Sequence, residues 1–320
     1  MALEIIDRLV VSEDPSIRYL FMRDVLEKDE DDLEVKAARQ AIVTSPNVTA
    51  MLAPRDSIGF FQWHAYSKWR GAFWTLLQLV DLGYPPGDKS LLPLMEQNYA
   101  WLLDPDRLKR IPEIVGKYRR CALQEASVVL TAIKLDLMDD RIHQLVDLLL
   151  KWQWPDGGWN CDKKPAASHS SFYESWLPLR TMHAYAQLFN DERASRAAER
   201  AAEIFLSRKL FIRKEDGTVM DKTFTQLAFP PYWHYNILVG LRVMSEIGRL
   251  TDPRCKDALD LLASKQLPDG GFPAEAKYYQ VTDREVSGVS PVKWGPVGTT
   301  KSNDYVSVRA LGVLKKAGRL

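Results

Sequence analysis

Cysteine is scarce in this chain of 320 residues: Cys121, Cys161 and Cys255 are an odd set without paired spacing, which argues against a disulfide framework. Long apolar runs are missing too. No stretch approaches the roughly 18 apolar residues of a membrane-spanning helix. The start, Met1-Ala2-Leu3-Glu4-Ile5-Ile6-Asp7-Arg8, has neither the basic opening nor the apolar core of a signal peptide. The expectation is a cytoplasmic protein without a transmembrane segment, with peripheral membrane contact left open. Charge of one sign is also lacking: 43 Lys and Arg against 42 Asp and Glu leave a formal net charge of +1. Nucleic acid is therefore not an expected partner. Strand-like alternation is rare.

What the chain does have is a repeated turn. Trp152-Gln153-Trp154-Pro155-Asp156-Gly157-Gly158-Trp159 returns as Lys265-Gln266-Leu267-Pro268-Asp269-Gly270-Gly271-Phe272. In each copy proline fixes one φ, the aspartate can accept bonds from its own backbone, and two glycines are free to take positive φ before an aromatic anchor. A third trace is Asp56-Ser57-Ile58-Gly59-Phe60. Apolar residues otherwise recur at helical spacing. Five segments with aromatic or polar fronts and apolar backs begin near Tyr66, Arg120, Ser171, Tyr232 and Ser302, roughly fifty to seventy residues apart. Between them lie room and pattern for further helices over 91–103, 141–152, 192–207 and 253–265. The first fifty residues read as two helices, 15–27 opened by Asp14 as N-cap, and 31–44. The expected organisation is all-α, with an N-terminal helical extension (1–54) that caps a repeat domain (55–320) of alternating inner and outer helices.

The Gln-x-x-Pro-Asp-Gly-Gly-Trp pattern resembles the QW-type repeat of squalene-hopene cyclases and related triterpene cyclases. Gly158-Trp159-Asn160-Cys161-Asp162-Lys163-Lys164-Pro165 followed by Ser171-Phe172-Tyr173, and the end Lys301-Ser302-Asn303-Asp304-Tyr305, are similar to β-subunits of protein prenyltransferases. The resemblance spans roughly residues 55 to 318 and implies a closed α/α toroid with the inner-helix fronts around a central cavity. It also implies a hydrophobic, isoprenoid-like ligand. Two departures stand out. The Asp-x-Asp-Asp acid of the cyclases does not occur; the nearest string, Leu135-Asp136-Leu137-Met138-Asp139-Asp140, reads as a solvated loop, so this is not expected to be a standard squalene-hopene cyclase. The prenyltransferase zinc histidine is missing, because its neighbourhood here is Asp304-Tyr305-Val306-Ser307.

The inner-helix fronts supply the candidate site. Glu125 or Glu174, desolvated in a dry pocket, could work as acid or base with His234, while Trp69, Phe172, Trp233 and Tyr235 offer aromatic faces to an apolar or cationic ligand. Cys121 and His234, with a carboxylate such as Glu125 or Asp162, would suit a divalent metal such as zinc. Lys68, Arg70, Arg119 and Arg120 could hold an oxyanion such as a diphosphate or a uronate, with Asp304 at the last front. Each residue also has a plainer role, as a hydrogen-bonded core histidine, a small buried thiol or half of an ion pair. A scaffold or binding protein without catalysis, and a polysaccharide lyase or epimerase, are the competing functions.

Overall fold

The computed structural model describes residues 3–282, 284 and 286–320; Met1, Ala2, Asp283 and Glu285 lie outside the described residues. The chain is mainly helical, at 51% helix. In order, the helices are α1 (Leu3–Val10), α2 (Pro15–Asp24), α3 (Leu33–Ala41), α4 (Pro46–Leu52), α5 (Ala72–Leu82), α6 (Leu92–Leu102) and α7 (Pro105–Lys109). A two-stranded antiparallel hairpin follows, β1 (Glu113–Ile114) and β2 (Lys117–Tyr118). Then come α8 (Leu123–Lys134), α9 (Arg141–Trp152), α10 (Phe172–Phe189), α11 (Glu192–Leu206), α12 (Ile237–Glu246), α13 (Lys256–Ala263) and α14 (Asp304–Lys316).

Burial separates two kinds of helix, as apolar patterning requires. In α9 the buried residues are Ile142, Leu145, Val146, Leu149 and Trp152, a single stripe. In α8 every residue from Leu123 to Ala132 is buried, polar Gln124, Glu125, Ser127 and Thr131 among them. Helices of the second kind meet in sequence: α5 packs on α8, α8 on α10, α10 on α12, and α12 on α14. The first kind lies against them, α6 on α5 and α8, α9 on α8, α11 on α10, and α13 on α12 and α14. On α11 the buried face is mostly alanine (Ala194, Ala197, Ala198, Ala201, Ala202), which lets the two axes approach closely. The N-terminal helices are not peripheral, because α2 touches both α14 and α5. Asp14 caps α2 as the sequence suggests, accepting from the Ser16 N–H. Its other oxygen accepts from Asn47 Nδ2 at 2.8 Å and from the Tyr305 hydroxyl, tying α2 to α14.

The repeated turn is repeated in its hydrogen bonds. Trp154 N donates to Gly158 O at 2.7 Å and Gly157 N to Trp154 O at 2.9 Å; Leu267, Gly270 and Gly271 make the same pair at 2.9 and 2.8 Å. The third trace does likewise, with Asp56 N to Phe60 O at 2.8 Å and Gly59 N to Asp56 O at 3.1 Å. Gly157, Gly270 and Gly59 take φ of 104°, 84° and 93°, where a side chain would be strained. After the two full turns a serine of the following helix, α10 or α14, clamps the aromatic anchor: Ser175 Oγ accepts from Trp159 N at 3.0 Å, and Ser307 Oγ from Phe272 N at 2.8 Å. The turns therefore set where α10 and α14 begin. Leu135 to Asp140 forms the connection between α8 and α9, with Asp136, Met138, Asp139 and Asp140 exposed.

Candidate functional site

The front of α5 is a folded loop rather than the helix expected from Tyr66 onward. Phe73 N donates to Ala65 O and Gly71 N to Ser67 O, and a Cβ on Gly71 would meet Ala65 O at 2.2 Å. This packing turns the aromatic rings inward. Tyr66 lies 5.2 Å from both Phe73 and Trp74 and 5.3 Å from Trp101. Trp69 stacks on Tyr232 at 3.9 Å and donates its Nε1–H to Tyr278 O at 2.7 Å.

At the front of α8, Arg120 forks onto Glu125, with Nε to Oε1 at 3.0 Å, and reaches Gln124 Oε1 at 2.6 Å. Arg107 adds bonds to the same two side chains at 3.2 and 2.8 Å. Glu125 is wholly buried, and burial pushes its carboxyl up to about 7 against the pull of Arg120. Arg119 is committed to the Ala167 and Ile114 carbonyls. Arg70 lies over the Trp63 ring at 4.5 Å. Lys68 is different: its Nζ sits 5.5 Å from the centres of both Trp69 and Trp233, with no carboxylate in ion-pair reach among the described residues.

Three donors converge between α8 and α10. The ligand atoms of Cys121, Cys161 and Glu174 all lie within 4.8 Å of one another. Cys161 Sγ donates to Glu174 Oε1 at 3.3 Å, while Glu174 Oε2 is buried with no partner. Burial, then the neighbouring Cys121, push the Glu174 carboxyl well above the usual range. The bond with Cys161, then burial, push the Cys121 thiol up. Pro178 sits inside α10 and has no N–H to give the Glu174 carbonyl four residues back, so the turn that carries Glu174 lacks one rung of the helical ladder. The Tyr66 hydroxyl, bonded to Gln124, is close enough to feel the charge of Cys121 and Glu174.

The front of α12 is aromatic. His234 lies between Trp233 and Tyr278, at centroid distances of 3.8 and 3.5 Å, and its Nδ1–H donates to Pro231 O at 3.1 Å. A carbonyl only accepts, so the neutral tautomer carries its proton on Nδ1. Burial, helped by Lys68, pulls the imidazole down to about 4. Tyr173 joins this platform edge-on to Trp233 at 5.7 Å, and Tyr173, Trp233, His234 and Tyr278 are all half-buried.

The expected site residues thus fall into separate groups. Glu174 and Cys121 come together, joined by Cys161, which was not among the expected ligands; His234, expected as a metal ligand, is in the platform and not in that donor cluster; Glu125 and Arg120 pair with each other. Phe172 and Tyr235 are core residues, packed with Phe205 and Phe224, and the Tyr235 hydroxyl donates to Leu210 O at 2.9 Å. Asp304 pairs with Arg8 of α1 at 2.9 Å. Tyr278 carried no sequence signal, because its segment lacks helical periodicity. Comparison of the sequence with protein-family models and with curated proteins returns no match.

Proposed function

We propose that α5, α8, α10, α12, α14 and α2 close as the inner ring of an α/α toroid, and that the platform at its front binds a hydrophobic, isoprenoid-like ligand. The successive helix contacts, ending where α2 touches both α14 and α5, support the ring. The observation that carries the ligand reading is the half-buried stack of Tyr173, Trp233, His234 and Tyr278 with the Lys68 ammonium, which has no carboxylate partner among the described residues, above Trp233. Flat π faces suit an unsaturated chain, and one ammonium suits an anionic head group. A uronate-binding groove has less support, since Arg119 and Arg120 already serve carbonyls and Glu125. This proposal agrees with the resemblance to terpenoid cyclases and prenyltransferase β-subunits, and needs neither family's catalytic residues. A non-catalytic scaffold is the second reading; the close stacking of Trp69 on Tyr232 favours it, because the rings there already satisfy one another.

The test is tryptophan fluorescence of the full chain titrated with farnesyl diphosphate, farnesol and squalene. The ligand reading predicts saturable quenching, weakened about tenfold or more by Trp233→Ala. Lys68→Ala should weaken farnesyl diphosphate and leave farnesol unchanged. Glu174→Ala and His234→Ala should reduce ligand retention without loss of fold, while His143→Ala and His183→Ala should not affect it. Squalene should be recovered unchanged. No saturable response to any of the three compounds rejects the reading in favour of the scaffold.

A further inference from the structure

We propose that Cys121, Cys161 and Glu174 form a zinc site with three protein ligands and an open fourth position. The chemistry of the donors comes first. Two thiols and a carboxylate are a borderline-soft set that zinc accepts, and hard cations such as magnesium or calcium do not favour sulfur. Geometry comes next. Tetrahedral zinc places two sulfurs roughly 3.8 Å apart and a sulfur and a carboxylate oxygen roughly 3.6 Å apart. Here Cys161 Sγ and Glu174 Oε1 are 3.3 Å apart, and the whole set lies within 4.8 Å. Closing on an ion therefore asks for a contraction of about 1 Å at most.

A second, independent observation points to a cation. Glu174 is 7% exposed, and although the Leu123 N–H and the Cys121 thiol face its carboxyl, Oε2 is left without a hydrogen-bond partner, a costly state for a buried acid. Protein cations do not supply the missing partner. Among the described residues no ion pair is made by Glu174, and the Arg120 guanidinium that acts on the neighbouring Cys121 is engaged by Glu125 and Gln124. A metal ion would satisfy the orphan oxygen directly.

The scaffold brings each donor in on a different segment. Cys121 precedes α8, Cys161 lies in the loop leaving the Gly157-Gly158-Trp159 turn, and Glu174 stands in the first turn of α10. Arg120 N bonds Asn160 O at 3.2 Å, joining the two cysteine-bearing segments beside the thiols. Asn160 Nδ2 bonds His169 O at 2.8 Å, and Ser171 N bonds Trp159 O at 2.9 Å, fixing the loop to the start of α10. Such outer bonds are what pre-position metal ligands. Both cysteines are partly accessible, which leaves an entry path and room for a fourth ligand. Binding releases the two thiol protons to solvent, together with any proton on Glu174, and involves no change of oxidation state.

The proposal stands apart from the ligand reading: a zinc-bearing chain that ignores farnesyl diphosphate, farnesol and squalene alike keeps this site and removes that function. The test uses the full chain, purified reduced and without chelator in buffer containing zinc. Elemental analysis should find close to one zinc per chain. Cobalt(II) added to the chelator-stripped protein should give a thiolate-to-cobalt charge-transfer absorption. Cys161→Ser and Glu174→Gln, each confirmed folded by near-ultraviolet circular dichroism, should lower affinity by about tenfold or more. Cys255→Ala, at a thiol that bonds Arg249 O, should keep full metal content. If Cys161→Ser fails to fold, Glu174→Gln, which preserves shape, gives the same readout. Wild-type protein with no zinc and no charge-transfer band overturns the proposal. So does a folded Cys161→Ser or Glu174→Gln chain with unchanged affinity.

Discussion

Two ends of the central helices bury carboxylates in opposite company. At the back, Asp81 at the end of α5 faces Arg180 Nη1 at 3.4 Å and Arg242 Nη2 at 3.5 Å, while Arg309 Nη2 donates to the Asp81 carbonyl at 2.6 Å. Burial alone would raise its pKa; Arg242, Arg180 and Arg309 outweigh burial and hold the carboxyl below the usual range. Glu246 pairs with Arg180 as well. At the front, Glu174 is almost as deeply buried and meets two thiols instead of a cation. The back joins α5, α10, α12 and α14 through matched charge, and the front leaves an acceptor over. Matched buried charge is a structural device that is expensive to break, whereas an unmatched buried acid marks a position where a ligand is expected.

The largest effect should come from the back. Asp81→Ala takes the carboxylate from Arg242 and Arg180, of which Arg180 keeps Glu246, and should destabilise the chain by about 3–5 kcal/mol in urea unfolding. Glu174→Gln should change stability by about 1 kcal/mol or less in metal-free protein, since no ion pair is broken. Equal losses from the two substitutions would break the comparison.

The next effect is one of sign with pH. Asp81 has a depressed folded pKa, so its contribution is present above its unfolded value, near 3.8, and is lost as pH falls through that range. Glu125 has a folded pKa near 7, above the unfolded 4.5, so the folded state binds the extra proton and stability falls as pH rises from about 4.5 to about 7. Glu125→Gln should flatten that neutral limb by an amount on the order of 2 kcal/mol, and Asp81→Asn should flatten only the acid limb. Urea midpoints between about pH 2 and pH 8 read both.

A smaller loss is expected at the repeat turn. A Cβ on Gly158 would meet Ile204 Cδ1 and Ser175 Oγ at 2.5 Å. Gly158→Ala should therefore cost about 1–3 kcal/mol, and it should shift the Cys161 loop and weaken cobalt binding in chain that is still folded. The mildest effect belongs to His234. Its folded pKa near 4 lies below the unfolded 6.5, so the stability of the neutral ring is lost as pH falls from about 6.5 to about 4. His234→Phe keeps the stack and should remove that loss, by thermal melts across the same window.

Much of the helical layout was legible. The single apolar stripe of α9 places it at Arg141–Trp152, as expected from the pattern, and α11 ends within a residue of its expected bound. The third turn, only a trace in sequence, has the same hydrogen bonds as the two full copies. The starts of α5 and α12 were less legible. The chain near Tyr66 folds back through Ala65 and Ser67 carbonyls, and Tyr232 takes a φ of 51°, so α5 and α12 begin at Ala72 and Ile237. Aromatic fronts read as helix by periodicity and fold as loops because ring stacking replaces helical hydrogen bonds there. The contact of α2 with both α14 and α5 was not legible, since nothing in a helical pattern says what it packs against. The convergence of Cys121, Cys161 and Glu174 was hidden for the same reason: it arises from three segments, with none of the short spacing that marks a zinc motif.

The claim that the front of the central helices is the functional end is tested most directly by one native mass spectrum of the full chain, purified reduced without chelator, detergent or added lipid. The account predicts the chain mass plus one zinc ion, with a second population carrying a hydrophobic adduct that is lost on collisional heating. A single peak at the bare chain mass would contradict it.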